Sequence, residues 1–376
     1  MPVVPPPRRS TPRGAIFVPR ISHATGRGDN VAAADPSRAP STRAPPAPML
    51  AAIPLLAAAL CAAADTTPRT PTGDILIVAS QGDRTVHLVE AGTGRTLAVV
   101  PSAPAPHEVA VTRDGRWAVA TNYGDRAEAG HALTVIDVRT QSVARTIDVA
   151  PHQRPHGIAF LPGDSILAIT SETSRAVVLV DFRAGHVLRA LSTDAAGTHI
   201  LAVSPGGEKI YAANVGSGTV TELDVASGRA TRTYAAGGGS EGMALSPDGR
   251  QLWVASMALD STFVFDAATG ARRGAIATPG HAYRVALTPD GRRALIPAPK
   301  LGLLRVIDTA TLRETTLALP GLPGGAVVSA DGRTAYVPLM ETAQVAVIDL
   351  ATLTVTRRLP TGQSPDGMAL SSLFRR

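Results

Sequence analysis

The chain has 376 residues, with 36 Lys and Arg against 30 Asp and Glu, a net charge of +6, and only 3% aromatic residues. The basic excess lies at the front: residues 1–48 hold 7 Arg and 2 acids, whereas residues from 65 onward hold 29 basic and 28 acidic side chains. The main body therefore gives no bulk electrostatic argument for nucleic acid or an anionic membrane. A single cysteine, Cys61, excludes an internal disulfide and a cysteine-based metal cluster.

In chain order, residues 1–48 contain 11 of the 31 prolines and no apolar period, and read as a disordered Pro/Arg-rich leader. Residues 49–64, MLAAIPLLAAALCAAA, form an apolar stretch too short for a stable span and ending in small residues. They read as a signal peptide with Ala62-Ala63-Ala64 as the cleavage site. Translation is then expected to start at Met49, leaving 1–48 as an upstream mis-start and Asp65 as the mature N-terminus. The alternatives are that the whole leader is translated with Arg43 in the n-region, or that it is a transit peptide. A lipid anchor on Cys61 is disfavoured because Leu60 is too large for a typical lipobox. Residues 65–72 read as a short linker. No membrane anchor is expected after cleavage, and the location implied is periplasmic or extracellular.

From residue 73 onward the chain repeats. The copies are His107–Arg116, His156–Ser165, His199–Glu208, Glu241–Arg250, Tyr283–Arg292, Gly324–Arg333 and a degenerate Asp366–Arg375. The starts lie 49, 43, 42, 42, 41 and 42 residues apart, which marks an array of identical supersecondary units. Each copy carries Asp-Gly or a variant of it, a short apolar run, a second run ending in an acid (Asp137, Asp181, Asp224, Asp266, Asp308, Asp349), a turn, and a third run. Four short runs rich in Val, Ile, Leu and Thr between turn residues are strands. Asp-Gly supplies positive φ for a hairpin, and the acid suits an Asx turn. Four-stranded antiparallel units at this period predict a β-propeller, packed mainly by Ala, Val, Leu and Ile.

Six copies are complete. The seventh supplies one strand, at Asp366–Ser371, while Ile75–Ser80, Thr85–Glu90 and Arg95–Val100 supply three without a first. The expectation is an all-β, seven-bladed propeller over 73–376, closed by C-terminal strand pairing with the N-terminal strands. Pro155-His156-Gly157-Ile158-Ala159, Ser246-Pro247-Asp248-Gly249-Arg250, Tyr211-Ala212-Ala213-Asn214 and the Val-Ile-Asp triplets at 135–137, 306–308 and 347–349 resemble the YVTN/YncE-like seven-bladed propeller family. The resemblance implies the fold. It leaves function open, since related propellers include lactonases, haem-binding domains and plain binding proteins. Pro297 and Pro338 depart from the pattern late in a second strand, and those strands are expected to end early or bulge.

Successive hairpins of a four-stranded blade fall on alternate faces. The residues opening the first strands, His107, His156, His199, Glu241, Tyr283, Gly324 and Asp366, should then surround the channel on the face opposite the Asp-Gly turns. Three readings stand for the histidines: hydrogen-bonded structural residues, a ligand-binding rim, or a metal site. The long insertion Tyr123–His131, read as a loop, and the segment Pro151-His152-Gln153-Arg154 approach the same face. The candidate ligand-binding set is thus His107, His156, His199, Glu241, Tyr283, Asp366, Arg154 and Tyr123. No metal site and no cofactor is predicted. The opposite face is expected to offer only repeated turns. The favoured reading is a monomeric exported binding or scaffold propeller with a small molecule or protein at the channel mouth. The alternatives are a lactonase-like hydrolase using the His/Glu rim, or a haem- or metal-associated redox propeller. Against the last, the chain has no Cys-x-x-Cys-His.

Overall fold

The computed structural model describes residues 71–375. The leader, the apolar stretch with Cys61, and the expected mature start at Asp65 lie outside the described residues.

Seven four-stranded antiparallel sheets are present. The first strand of each, here called the inner strand, is Pro106–Val111 in blade 1, Pro155–Phe160 in blade 2, Thr198–Val203 in blade 3 and Ser240–Leu245 in blade 4. Blades 5, 6 and 7 contribute Ala286–Leu287, Val327–Val328 and Pro365–Phe374. Each inner strand touches the next and the seventh touches the first, so they ring a central channel.

Blade 7 closes the ring. Pro365–Phe374 pairs antiparallel with Gly73–Ser80, with Ile75 opposite Ser371 and Ile77 opposite Ala369. The strand runs longer than the expected Asp366–Ser371, and an Arg375–Asp74 ion pair fastens its far end.

Second and third strands are buried on both faces, as in Ile166–Ser171 and Ala176–Asp181, because a neighbouring blade covers each side. That is why they read as unbroken apolar runs. Fourth strands, such as His186–Ser192, are mostly exposed. Each blade interface has its own apolar cluster. Val119, Leu133 and Val135 of blade 1 meet Leu167, Ile169 and Val178 of blade 2. Trp253 and Val264 of blade 4 meet Ala294 and Ile296 of blade 5. Each fully buried aliphatic side chain contributes about 2 kcal/mol of transfer free energy.

The repeated turn motif has a local cause. Asp114 accepts the Thr112 hydroxyl at 2.6 Å and the Arg116 N–H at 3.0 Å, while Gly115 takes φ +73°. Ser246 and Asp248, Thr288 and Asp290, and Ser329 and Asp331 repeat the hydroxyl contact. The acids closing third strands form the expected Asx turns, as where Asp224 accepts the Ser227 N–H at 2.7 Å.

Three expectations are corrected. Arg293–Ala298 and Thr334–Leu339 run through Pro297 and Pro338 without a register shift against their third strands. Both prolines direct their missing N–H toward the inner strand, where the Pro297 and Pro338 carbonyls accept the N–H of Tyr283 and Gly324. The loss falls there, and the inner strands of blades 5 and 6 shrink to two residues each. Tyr283 and Gly324 therefore precede their strands instead of opening them. Finally, the insertion is mostly ladder: Trp117–Gly124 and Ala129–Asp137 extend as a hairpin, with a register shift between Asn122 and Gly124.

Candidate functional site at the channel axis

The inner strands bring the predicted residues together through a bulge that the sequence pattern does not reveal. Register shifts occur between Pro106 and Val109, Pro155 and Ile158, Thr198 and Ile200, and Ser240 and Gly242. Such bulges re-aim side chains. A threonine of the second strand fills the gap. Thr121 accepts the Glu108 N–H and donates to the His156 carbonyl, and Thr170 does the same for Gly157 and His199. Each threonine therefore ties its own inner strand to the next.

Close approach of neighbouring inner strands sets the following position. A Cβ on Gly242 would lie 2.5 Å from the Tyr283 carbonyl oxygen and the Arg284 Cα, and one on Gly367 would lie 2.0 Å from the His107 carbonyl oxygen. Two blades carry charge at this position instead, Glu108 and Arg284.

An aromatic stack forms one side of the site. The His107 ring lies on Tyr123, with centroids 4.7 Å apart, and meets His156 edge-on at 4.6 Å. His156 sits 3.7 Å from His199, and Arg154 covers the other part of Tyr123 at 4.8 Å. The Nδ1 atoms of His107 and His156 are buried without a hydrogen bond. Burial holds both histidines below their ordinary pKa, His156 well below, and the neighbouring His199 charge pushes the same way.

A charged chain forms the other side. Tyr123 donates its hydroxyl to Glu172 at 2.6 Å, and His199 bonds Glu172 through Nδ1 at 2.5 Å and Glu241 through Nε2 at 2.7 Å. Arg284 donates to Glu241 at 3.2 Å and to Glu108 at 2.8 Å, with its guanidinium over the Tyr283 ring. Gln81 donates to Asp366 Oδ2 at 2.6 Å. Burial opposes a charge on His199, but the two carboxylates win and hold its pKa up at about 9. Burial likewise opposes ionisation of Glu241, yet His199 and Arg284 pull it down to about 2. Glu108 behaves differently. Burial and the Asp366 charge outweigh Arg284 and raise it to about 7. The Asp366 charge, then burial, push the Tyr283 hydroxyl up.

All eight predicted residues thus fall in or against one cluster, but half are packed away: His156, His199, Glu241 and Asp366 expose 2%, 8%, 8% and 3% of their surface, while His107, Tyr123, Arg154 and Tyr283 are partly buried. The open space lies beyond them along the axis. A cavity of about 180 Å³ is bounded by Glu108, Arg284, Asp366, Met243, Met368 and Ile200. A wider cup of about 710 Å³, with Val109, Phe160, Val328, Leu370 and Arg113 among its walls, opens toward the Asp-Gly turns. Ile158, Val327 and Met368 line both. The face expected to offer only turns therefore holds the larger cavity. Among the described residues, no three His, Cys, Asp or Glu side chains are grouped to hold a metal ion.

Sequence reasoning missed Glu108, Arg284, Glu172 and Gln81. The signal for the first two was present. The second position of the repeat is Gly in blades 2, 4, 6 and 7, and it turns to Glu108 and Arg284, opposite charges, in blades 1 and 5. Glu172 and Gln81 sit in second-to-third strand turns on the histidine side, which no motif marks.

No family model and no curated protein sequence matches the chain. Solved structures do. A chain of Kuenenia stuttgartiensis hydrazine synthase aligns with a TM-score of 0.65 at 20% identity, covering 74% of this chain and 92% of that one. A functionally unknown protein from Desulfotomaculum acetoxidans aligns with a TM-score of 0.67 at 13% identity, covering 79% of this chain and 98% of that one. Likeness at these identities establishes the propeller fold and nothing finer.

Proposed function

We propose that this chain is an exported, YVTN-like binding propeller that holds a small ligand in its central channel, against Glu108, Arg284 and Asp366. One observation carries the reading: the cavity of about 180 Å³ on the ring axis, bounded by three charged side chains. Protein interiors are close-packed, and charges are buried only where a partner repays their desolvation. A void against such groups is a place kept for something. His199, bonded through both nitrogens, reads as a structural imidazolium that cross-links blades 2, 3 and 4 through Glu172 and Glu241. The ligand-facing role then belongs to the groups on the channel side of that link.

Filling the void tests this. Gly325→Leu places bulk in the cavity, where an added Cβ meets nothing nearer than the aliphatic stem of Arg284 at 3.6 Å. Hits from a thermal-shift screen of charged and neutral fragments should lose their shift in this variant. Hits that persist unchanged place the site elsewhere. The export reading rests on residues 49–64 and has its own test. Intact mass of the exported protein should give an N-terminus at Asp65, and a species retaining residues 1–48, or carrying lipid on Cys61, rejects it.

A further inference from the structure

We infer that the ligand of this cavity is a small organic monocation, a protonated amine on a short apolar stem. The inference rests on the proposed channel site and names what fills it.

The first argument is charge balance. Four carboxyl groups stand in the cluster, Glu108, Glu172, Glu241 and Asp366, against two cations bonded to them, Arg284 and the doubly bonded His199; with Glu108 raised to about 7, the excess is about one negative charge below neutrality and about two above it. Arg284 is already divided between Glu241 and Glu108. Asp366, 3% exposed, receives only the neutral Gln81 amide. Arg154 stands aside, over Tyr123 and bonded to the Asp125 carbonyl. Uncompensated buried carboxylates are costly.

The second argument is direction. Among the described residues, Glu108 Oε2 and Asp366 Oδ1 have no hydrogen-bond partner, and both side chains line the cavity. An ammonium has three N–H donors and no acceptor, which suits two free carboxylate oxygens. An anion would meet both carboxylates, and a neutral molecule would leave the charge uncorrected.

The third argument separates organic from inorganic cations. Hard metal ions require six or more oxygen ligands. Here the remaining walls are Met243, Met368, Ile200, Leu201 and Val285. Those walls cannot replace a hydration shell, but they suit an alkyl stem. The wider cup toward the Asp-Gly turns supplies the approach.

Binding should expel a proton. Glu108 faces Arg284, Asp366, His199 and Tyr283, and burial with the Asp366 charge holds it at about 7 in the empty site. An ammonium beside it favours the ionised form. Affinity should therefore rise with pH below neutrality, where Glu108 holds its proton in the empty site, and level off once the carboxyl is ionised.

Calorimetry on the intact protein tests this with n-butylammonium, n-butanol, butyrate and potassium, in two buffers of different ionisation heat. The expected result is binding of n-butylammonium, with n-butanol and butyrate at least about tenfold weaker, proton release near pH 6.5, and loss of at least tenfold in Asp366→Asn. Asp366→Asn keeps an acceptor for Gln81, and its melting temperature should not fall. Equal binding of butyrate or n-butanol, abolished by Gly325→Leu, overturns the cation inference and leaves the channel site standing. Potassium binding in place of the amine overturns it in favour of an inorganic ion. Silence from all four probes overturns it, and if no fragment meets the cavity either, the channel site falls too.

Discussion

His199 Nε2 lies 2.7 Å from Glu241 Oε1, and the two residues are 42 positions apart, one blade period. Equivalent positions of adjacent blades thus meet at the axis, and repetition in the sequence becomes proximity in space. Glu172 on the other side of the imidazole makes the link three-bladed. Removing one partner of a buried ion pair leaves the other uncompensated, so His199→Ala should cost about 3 kcal/mol in a denaturant titration. An unchanged midpoint would mean that the link contributes nothing to the ring.

The same link fixes the pH dependence of stability. His199 is raised to about 9, so its contribution is complete below its unfolded value of about 6.5 and is lost as pH rises through 9. Glu241 is lowered to about 2, so its contribution is present above about 4.5 and is lost as pH falls toward 2. Glu108, raised to about 7, favours the folded state below about 4.5 and loses that contribution as pH rises through 7. Buried His107 and His156, held below their ordinary values, act in the other direction: their contribution is present above about 6.5 and is lost as pH falls below it. The melting temperature should therefore be highest near about pH 6 and fall on both sides. Glu241→Gln should weaken the acid limb. A melting temperature that climbs from pH 6 to 9 contradicts this assignment.

Backbone packing around the axis gives a sharper mutational contrast. Gly242→Ala places a Cβ 2.5 Å from backbone atoms of Tyr283 and Arg284, which cannot swing away as a side chain would. The expected loss is about 3 kcal/mol. Gly238→Ala, four residues earlier, meets only the Ala258 Cβ at 3.4 Å and should change stability little. Equal melting temperatures for the two variants would show that the inner strands have room to separate.

Ring closure is tested by removing residues 365–376. That deletion strips the inner strand from Gly73–Ser80, exposes an edge, and leaves Ile75 and Ile77 without the strand that covers them. Loss of cooperative unfolding, or a melting temperature lower by more than about 10 °C, is expected. Unaltered unfolding would contradict closure through blade 7.

The blades were legible because their signals are local. Asp114-Gly115 and its repeats form turns from neighbouring atoms, and a second strand such as Ile166–Ser171 is apolar because it is covered on both sides. The place of His107, His156, His199, Glu241 and Asp366 on one side of the axis followed from strand alternation. What they do there was not legible. Whether Arg284 meets Glu108 depends on how far seven inner strands curve before closing, since 176 residues separate the two. The proline effect failed for a similar reason. Pro297 lacks an N–H wherever it sits, but only the sheet shows that the inner strand bears the loss. The cavity is a property of the closed ring, and no single repeat encodes it.

The most direct measurement is a crystal structure of the protein purified from its source organism without added ligand, with native mass spectrometry of the same sample. The account predicts a small organic molecule between Glu108 and Asp366, in contact with Met368, and a matching mass released on denaturation. A cavity holding only water, with no released mass, or a ligand bound at another face, would contradict it.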